Sequence, residues 1–155
     1  VTLEIETIGD ERFVRGFNRY AEQVKDWRPA FEDIYQSFTE ITRRNFASEG
    51  RPESWAALSP GYAKWKAKHY PGKPIMQRTR RLIRSLTGVG QASAQDTIKD
   101  IKPLSAEFGT MVPYATYHQQ GRGVPRRKVV QLTEGNRRFW ARIIHEWAYR
   151  ETRKI

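Results

Sequence analysis

The sequence predicts an α+β fold: a small, mostly antiparallel sheet packed with three to five helices. Two helical stripes and one pair of strand-like runs carry that reading. Phe31, Ile34, Phe38 and Ile41 recur at spacings of three and four, with Tyr35 widening the stripe, which is the pattern of an amphipathic helix. Trp140, Ile143, Ile144 and Trp147 do the same near the other end. Between them, Thr97–Ile101 and Leu104–Phe108 read as two short strands that turn at Lys102-Pro103, a hairpin or meander. A chain of 155 residues suits one domain with one core, spanning 1–155.

In chain order, Thr2–Thr7 alternates, with Leu3 and Ile5 on one face, and reads as an edge-type strand. Gly9 ends it and Asp10 is placed to cap a helix. Phe13, Phe17, Tyr20 and Val24 give that helix one apolar stripe, and Trp27-Arg28-Pro29 breaks it. The long second helix starts near Pro29 and runs to about Ala47. Its early acids and late Arg43 and Arg44 suit the helix dipole. Residues 48–54 are loop-like. Ser59-Pro60 is a strong start signal, a capping hydroxyl before a proline at the first helical position. That helix carries Tyr62, Trp65 and His69, with Lys64, Lys66 and Lys68 around them, and ends at Tyr70-Pro71-Gly72. Thr79 is placed to cap the next helix, with Leu82, Ile83 and Leu86 inward and its arginines outward. Gly88 stops it, and 88–96 reads as a mobile loop.

The stretch from Leu104 to Leu132 organises the rest. Leu104, Ala106 and Phe108 alternate as in a half-buried strand. Gly109 and Pro113 punctuate its end, and Pro113 suits the first turn of a helix because it has no N–H to leave unsatisfied. Tyr114, Tyr117 and His118 then share one helical face. Gly121 and Gly123 release the backbone into a loop over 120–127, expected to be mobile in the isolated protein. Val129 and Leu132 resume an extended, strand-like pattern. Thr133 caps the last helix, in which Arg142, Glu146 and Arg150 sit four apart with alternating sign.

Net charge is +11, from 28 basic and 17 acidic residues. The first 40 residues hold 5 and 9 of these, and the remainder 23 and 8. Such polarity suits attraction to a polyanion, or a contact between the acidic end of one copy and the basic body of the next. With 0 cysteines, disulfides and thiolate metal sites are excluded. No apolar run approaches the ~20 residues that span a bilayer, and no signal-peptide pattern opens the sequence. A soluble protein made in the cytoplasm is expected. Aromatic residues are generous against modest aliphatic mass, a balance that suits a core and that protein interfaces also favour.

Signals of catalysis are thin. His69, His118 and His145 stand at no metal-ligand spacing with one another or with an acid. His118 is better read as a packing or interface residue. Asp96, Asp100 and Glu107 could be pictured as the metal-binding carboxylates of a nuclease, but no lysine sits two residues beyond Glu107, where a common nuclease pattern wants it. Asp96 and Asp100 flank lysines and a strand and read as solvated polar positions. No glycine-rich phosphate loop is present. The expectation is no enzyme, no cofactor and no metal.

Basic clusters remain: Arg78, Arg80, Arg81 and Arg84; Arg122, Arg126, Arg127 and Lys128; Arg137, Arg138 and Arg142. Clusters of this kind are ordinarily solvated faces. As functional groups they suit sequence-independent contact with phosphates. Arg78, Arg80, Arg81, Arg84 and Lys128 are the candidate DNA-facing residues. Tyr114, Tyr117, His118, Arg122, Arg126 and Arg127 are the candidate contacts with another subunit or partner.

The ordered signals Gly109-Thr-x-Val112-Pro-Tyr-Ala-x-x-His118-Gln-x-Gly121, then a proline-led basic segment and a closing helix, resemble the virion morphogenesis and tail-completion proteins of tailed bacteriophages. Trp55-Ala-Ala-Leu-Ser-Pro, Gly72-Lys-Pro-Ile-Met and Thr79-Arg-Arg-Leu-Ile-Arg-Ser-Leu match upstream in the same order, so the likeness covers roughly 31–144. Two positions depart from it. Arg80 stands where the family usually has glycine, and Val129-Val130 where it usually has an aromatic–aliphatic pair. The resemblance implies the same α+β arrangement. It also implies a neck or tail-end component that completes the tail and joins it to the head connector. Such a protein would act as a ring, six-fold by analogy with tail symmetry, around the DNA channel. Its neighbours would be connector and tail-tube or tail-terminator proteins, within a virion assembled in the host cytoplasm. The alternative reading is a free basic protein that binds nucleic acid through phosphates.

Overall fold

The computed structural model describes residues 2–4, 24–90 and 94–153. In chain order the elements are β1 (Thr2–Glu4), α1 (Arg28–Ala47), α2 (Pro60–His69), α3 (Arg81–Thr87), β2 (Thr97–Ile101), β3 (Ala106–Thr110), α4 (Tyr114–Gln120) and α5 (Glu134–Thr152). The strands form one sheet in the order β1-β3-β2. This is the expected α+β fold, with five helices among the described residues. The stripe at Phe13, Phe17 and Tyr20 lies outside those residues, so the long helix is the first described. Val24, placed in that stripe, is buried in irregular backbone.

The strand β2 has its expected bounds, but β3 begins two residues later than the alternation suggested. Lys102 N–H donates to Ser105 O at 2.8 Å and closes a tight turn. That turn takes Leu104 out of the strand and leaves it 69% exposed. Met111 N–H donates to Asp96 O at 2.7 Å in the same antiparallel register, which places Thr97 opposite Thr110 and Ile101 opposite Ala106. Turn closure thus overrode period-two patterning.

The chain forms two compact units, one of Thr39–Ile98 with Gly109–Gln131, the other of Thr2–Phe38 with Lys99–Phe108 and Leu132–Ile155. In the second unit the opening half of α1 buries Ala30, Ile34 and Phe38, and α5 buries Trp140, Ile144 and Ala148. The Phe108 ring lies 5.9 Å from Phe38 and 5.1 Å from Tyr35. Two indole N–H groups find partners: Trp140 Nε1 donates to Ser37 Oγ at 2.9 Å, and Trp147 Nε1 to Asp26 O at 3.1 Å. The Asp26 carboxylate accepts the Arg28 side chain at 2.7 Å and its backbone N–H at 3.0 Å. These bonds hold the Asp26 pKa down at about 2. At the start of α5, Thr133 Oγ1 accepts Asn136 N–H while Asn136 Oδ1 accepts Thr133 N–H, a reciprocal capping box.

In the first unit the close of α1 buries Thr42, Asn45 and Phe46. The Trp55 ring meets Phe46 edge-on at 5.1 Å. Leu82 and Leu86 of α3 are buried, and Ile83 is half-buried. The α3 start is displaced from the expected Thr79 cap. Arg80 takes the capping position at φ +60°, and Thr79 Oγ1 reaches only Arg81 N–H, at 3.4 Å. In α2, Pro60 holds the first position as expected, but Ser59 makes no side-chain cap bond. The helix is also turned differently from its composition: Tyr62 and Trp65 are exposed, while Lys66 is buried and donates to Pro74 O at 2.6 Å. Burial pushes the Lys66 pKa down, and the charge of Glu49 opposes that shift.

Candidate interface surfaces

Every residue marked from sequence as a candidate contact lies in the first unit. The helix α4 faces inward through Ala115, which is fully buried and preceded by the buried Val112. Tyr114 and Tyr117 consequently point out, at 38% and 54% exposure. His118 is half-buried and meets Tyr114 edge-on at 6.4 Å. Its Nδ1 is buried and has no hydrogen-bond partner among the described residues. Burial first, then the charge of Arg127, holds the imidazole pKa below its ordinary value. Arg122 and Arg126 are exposed on the loop that follows. The loop's ends are tied: Gly121 and Arg122 N–H both donate to Tyr117 O, and Arg127 N–H to His118 O. Gly121 has φ +75°, and a Cβ there would stand 3.0 Å from the Arg126 Cβ, so the turn demands glycine.

Two of the candidates have other duties. Arg127 is buried, and its guanidinium donates to Ala56 O at 2.8 Å and Ala57 O at 3.0 Å. It clamps the backbone that leads to α2 and offers nothing to a partner. Nothing in the sequence separates it from Arg126. Lys128 is ion-paired with Glu53 at 2.6 Å.

The segment expected to be a strand around Val129 is irregular, although Val129 and Val130 are buried. Side chains replace the missing ladder. Asn45 Nδ2 donates to Lys128 O at 3.1 Å and Val129 O at 2.8 Å, and Trp55 Nε1 donates to Lys128 O at 2.9 Å. Gln119 accepts Val130 N–H and donates to Val130 O. Strand-like apolar patterning therefore marked burial correctly and partner identity wrongly, since amides on α1 and α4 satisfy the backbone.

The α3 arginines divide. Arg81 makes a two-pronged pair with Asp96 at 2.6 and 2.8 Å, which lowers the Asp96 pKa. Arg80 and Arg84 are exposed. Arg78 lies over the Tyr70 ring, 5.4 Å from its centroid. That ring continues a ladder along α2: Tyr70 to Trp65 at 5.8 Å, Trp65 to His69 at 4.7 Å, Trp65 to Tyr62 at 5.5 Å. Lys64, Lys68 and Lys73 are exposed on the same helix and the turn after it. Sequence reasoning passed over these three. The available signal was the run from Ser54 to Gln95, which contains no Asp or Glu.

Charge is divided between the units. The first holds 15 of the 28 Lys/Arg and 4 of the 17 Asp/Glu, and the second holds 13 of each. The whole +11 therefore belongs to the first unit. Its four acids are all engaged: Glu40 with Arg43 and Arg44, Glu49 with Ile75 N–H, Glu53 with Lys128, and Asp96 with Arg81. Among the described residues no three His, Cys, Asp or Glu gather as a metal site, and no helix is long and apolar enough to cross a membrane. Asp96 and Asp100, weighed above as carboxylates, are both in ion pairs, the latter with Lys102 at 2.7 Å.

A buried frame thus holds Tyr114, Tyr117, Arg122 and Arg126 outward on a segment tied at both ends. The sequence matches the phage virion morphogenesis family over residues 8–144, and the chain belongs to that family. Its role is in assembly of the phage virion, in association with other virion components. No curated protein and no solved structure matches it.

Proposed function

We propose that the protein is a structural, non-catalytic component of the phage neck or tail end. It completes the tail and joins it to the head connector as a ring oligomer around the DNA channel. The observation that carries this reading is the presentation of α4: Tyr114 and Tyr117 held outward, with Arg122 and Arg126 beside them, on a segment tied down at both ends. Tyrosine and arginine are the residues that interfaces favour. Subunits of a ring meet through two different patches, and the acidic first 40 residues complement the basic remainder for such a contact. The axial symmetry of a tail calls for a matching ring, and six copies are the expected number. Its neighbours are connector and tail-tube or tail-terminator proteins. Electron microscopy of assembled particles tests this, with a ring of this protein expected on the tail axis between head and tail. A single copy, or a position off the axis, overturns the proposal, as does magnesium-dependent cutting of DNA by the purified protein.

A further inference from the structure

We infer that the face built from α2 and the start of α3 binds the phosphate backbone of duplex DNA, without reading sequence. This stands apart from the ring reading and rests on its own observations.

Six cations stand on α2, the turn after it, and the approach to and start of α3: Lys64, Lys68, Lys73, Arg78, Arg80 and Arg84. All are exposed, and none has an acidic partner among the described residues. No acid lies between Ser54 and Gln95 to neutralise them. The unit that carries them holds the whole net charge of +11, with each of its acids already engaged. Lys64 and Lys68 are one helical turn apart, ~5–6 Å between Cβ atoms. Arg78 is steadied by Tyr70, so part of the ordering cost is met before a ligand arrives.

The choice of ligand follows from the same details. Lysine is depleted at the cores of protein interfaces, whereas a lysine-rich face whose nearby acids, Glu49 and Asp96, are already engaged complements a polyanion. Single strands would need free ring faces for their bases. The Trp65 ring is instead stacked with Tyr62 and His69, at interplanar angles of 21° and 25°. Through Tyr70, which packs on Trp65, the rings support Arg78. The sequence-marked cluster is thereby redrawn: Arg81 and Lys128 are occupied by Asp96 and Glu53, and the α2 lysines take their place.

The test is binding of the full chain to a mixed-sequence duplex of about 30 base pairs across a salt series. Affinity should fall linearly on logarithmic axes. The double variant Lys64→Ala/Lys68→Ala should flatten that slope by about two and weaken binding at least ~10-fold at low salt. Arg137→Ala/Arg138→Ala, in the neutral unit, should leave the slope unchanged. Equal losses from the two variants would mean bulk charge rather than this face, and would overturn the inference. So would absence of duplex binding, or tighter binding to a single strand with quenching of Trp65. In the unsubstituted chain, duplex should shield Lys64 and Lys68 from acetylation. Unchanged labelling overturns the inference whatever the variants do.

Discussion

Arg80 holds a left-handed backbone at φ +60°, a conformation that costs a residue with a Cβ about 1–2 kcal/mol. This is the position at which the resembling phage proteins usually carry glycine, so the departure noted in the sequence has a conformational meaning. Glycine would relieve the strain while adding freedom to the unfolded chain. Arg80→Gly is expected to raise stability by ~0.5–1 kcal/mol in chemical denaturation, and a loss of stability would contradict the strain argument. His118 offers a second residue-scale outcome. Its pKa is lowered in the fold by burial and by Arg127, so below the ordinary value of 6.5 the unfolded state binds the extra proton. Stability should therefore decrease as pH falls from 6.5 towards the folded-state pKa. Replacing His118 with Gln should flatten that part of the pH profile. An NMR titration placing the imidazole midpoint above 6.5 would reverse the sign.

At the scale of elements, the two long helices were legible because their apolar stripes persist over several turns. Chain ends of α1 fall at Arg28 and Ala47, beside the Pro29 and Ala47 read from sequence. For α5 the capping threonine and the buried Trp140 and Ile144 agree with the predicted face, while Ile143 and Trp147 are only half-buried. Trp140→Ala removes a side chain that is 5% exposed, together with its bond to Ser37. The expected cost is on the order of 3–5 kcal/mol, seen as a lowered denaturation midpoint. An unchanged midpoint would mean that this face of α5 contributes no packing. Short elements were less legible. A ten-residue helix such as α2 has too few turns for its aromatic and lysine positions to declare which side is buried. Lys66 went inside because Pro74 O lay within its reach, a fact about a turn eight residues away.

At the scale of the whole molecule, sequence alone determined the α+β class, the family, the antiparallel hairpin and the basic character. Each depends on local periodicity, on ordered short motifs or on composition, all of which survive without a fold. Tertiary structure alone decided how that charge is used. Arg127 and Arg126 are neighbours of one type, yet one is buried against Ala56 and Ala57 and the other is exposed. Val129 has a strand's pattern, but its carbonyl is met by Asn45, 84 positions earlier. A buried polar group must find a partner, and the pattern around it records only that it is buried. Which distant side chain supplies that partner, and which cations are left free for a ligand, is settled when separate segments are brought together.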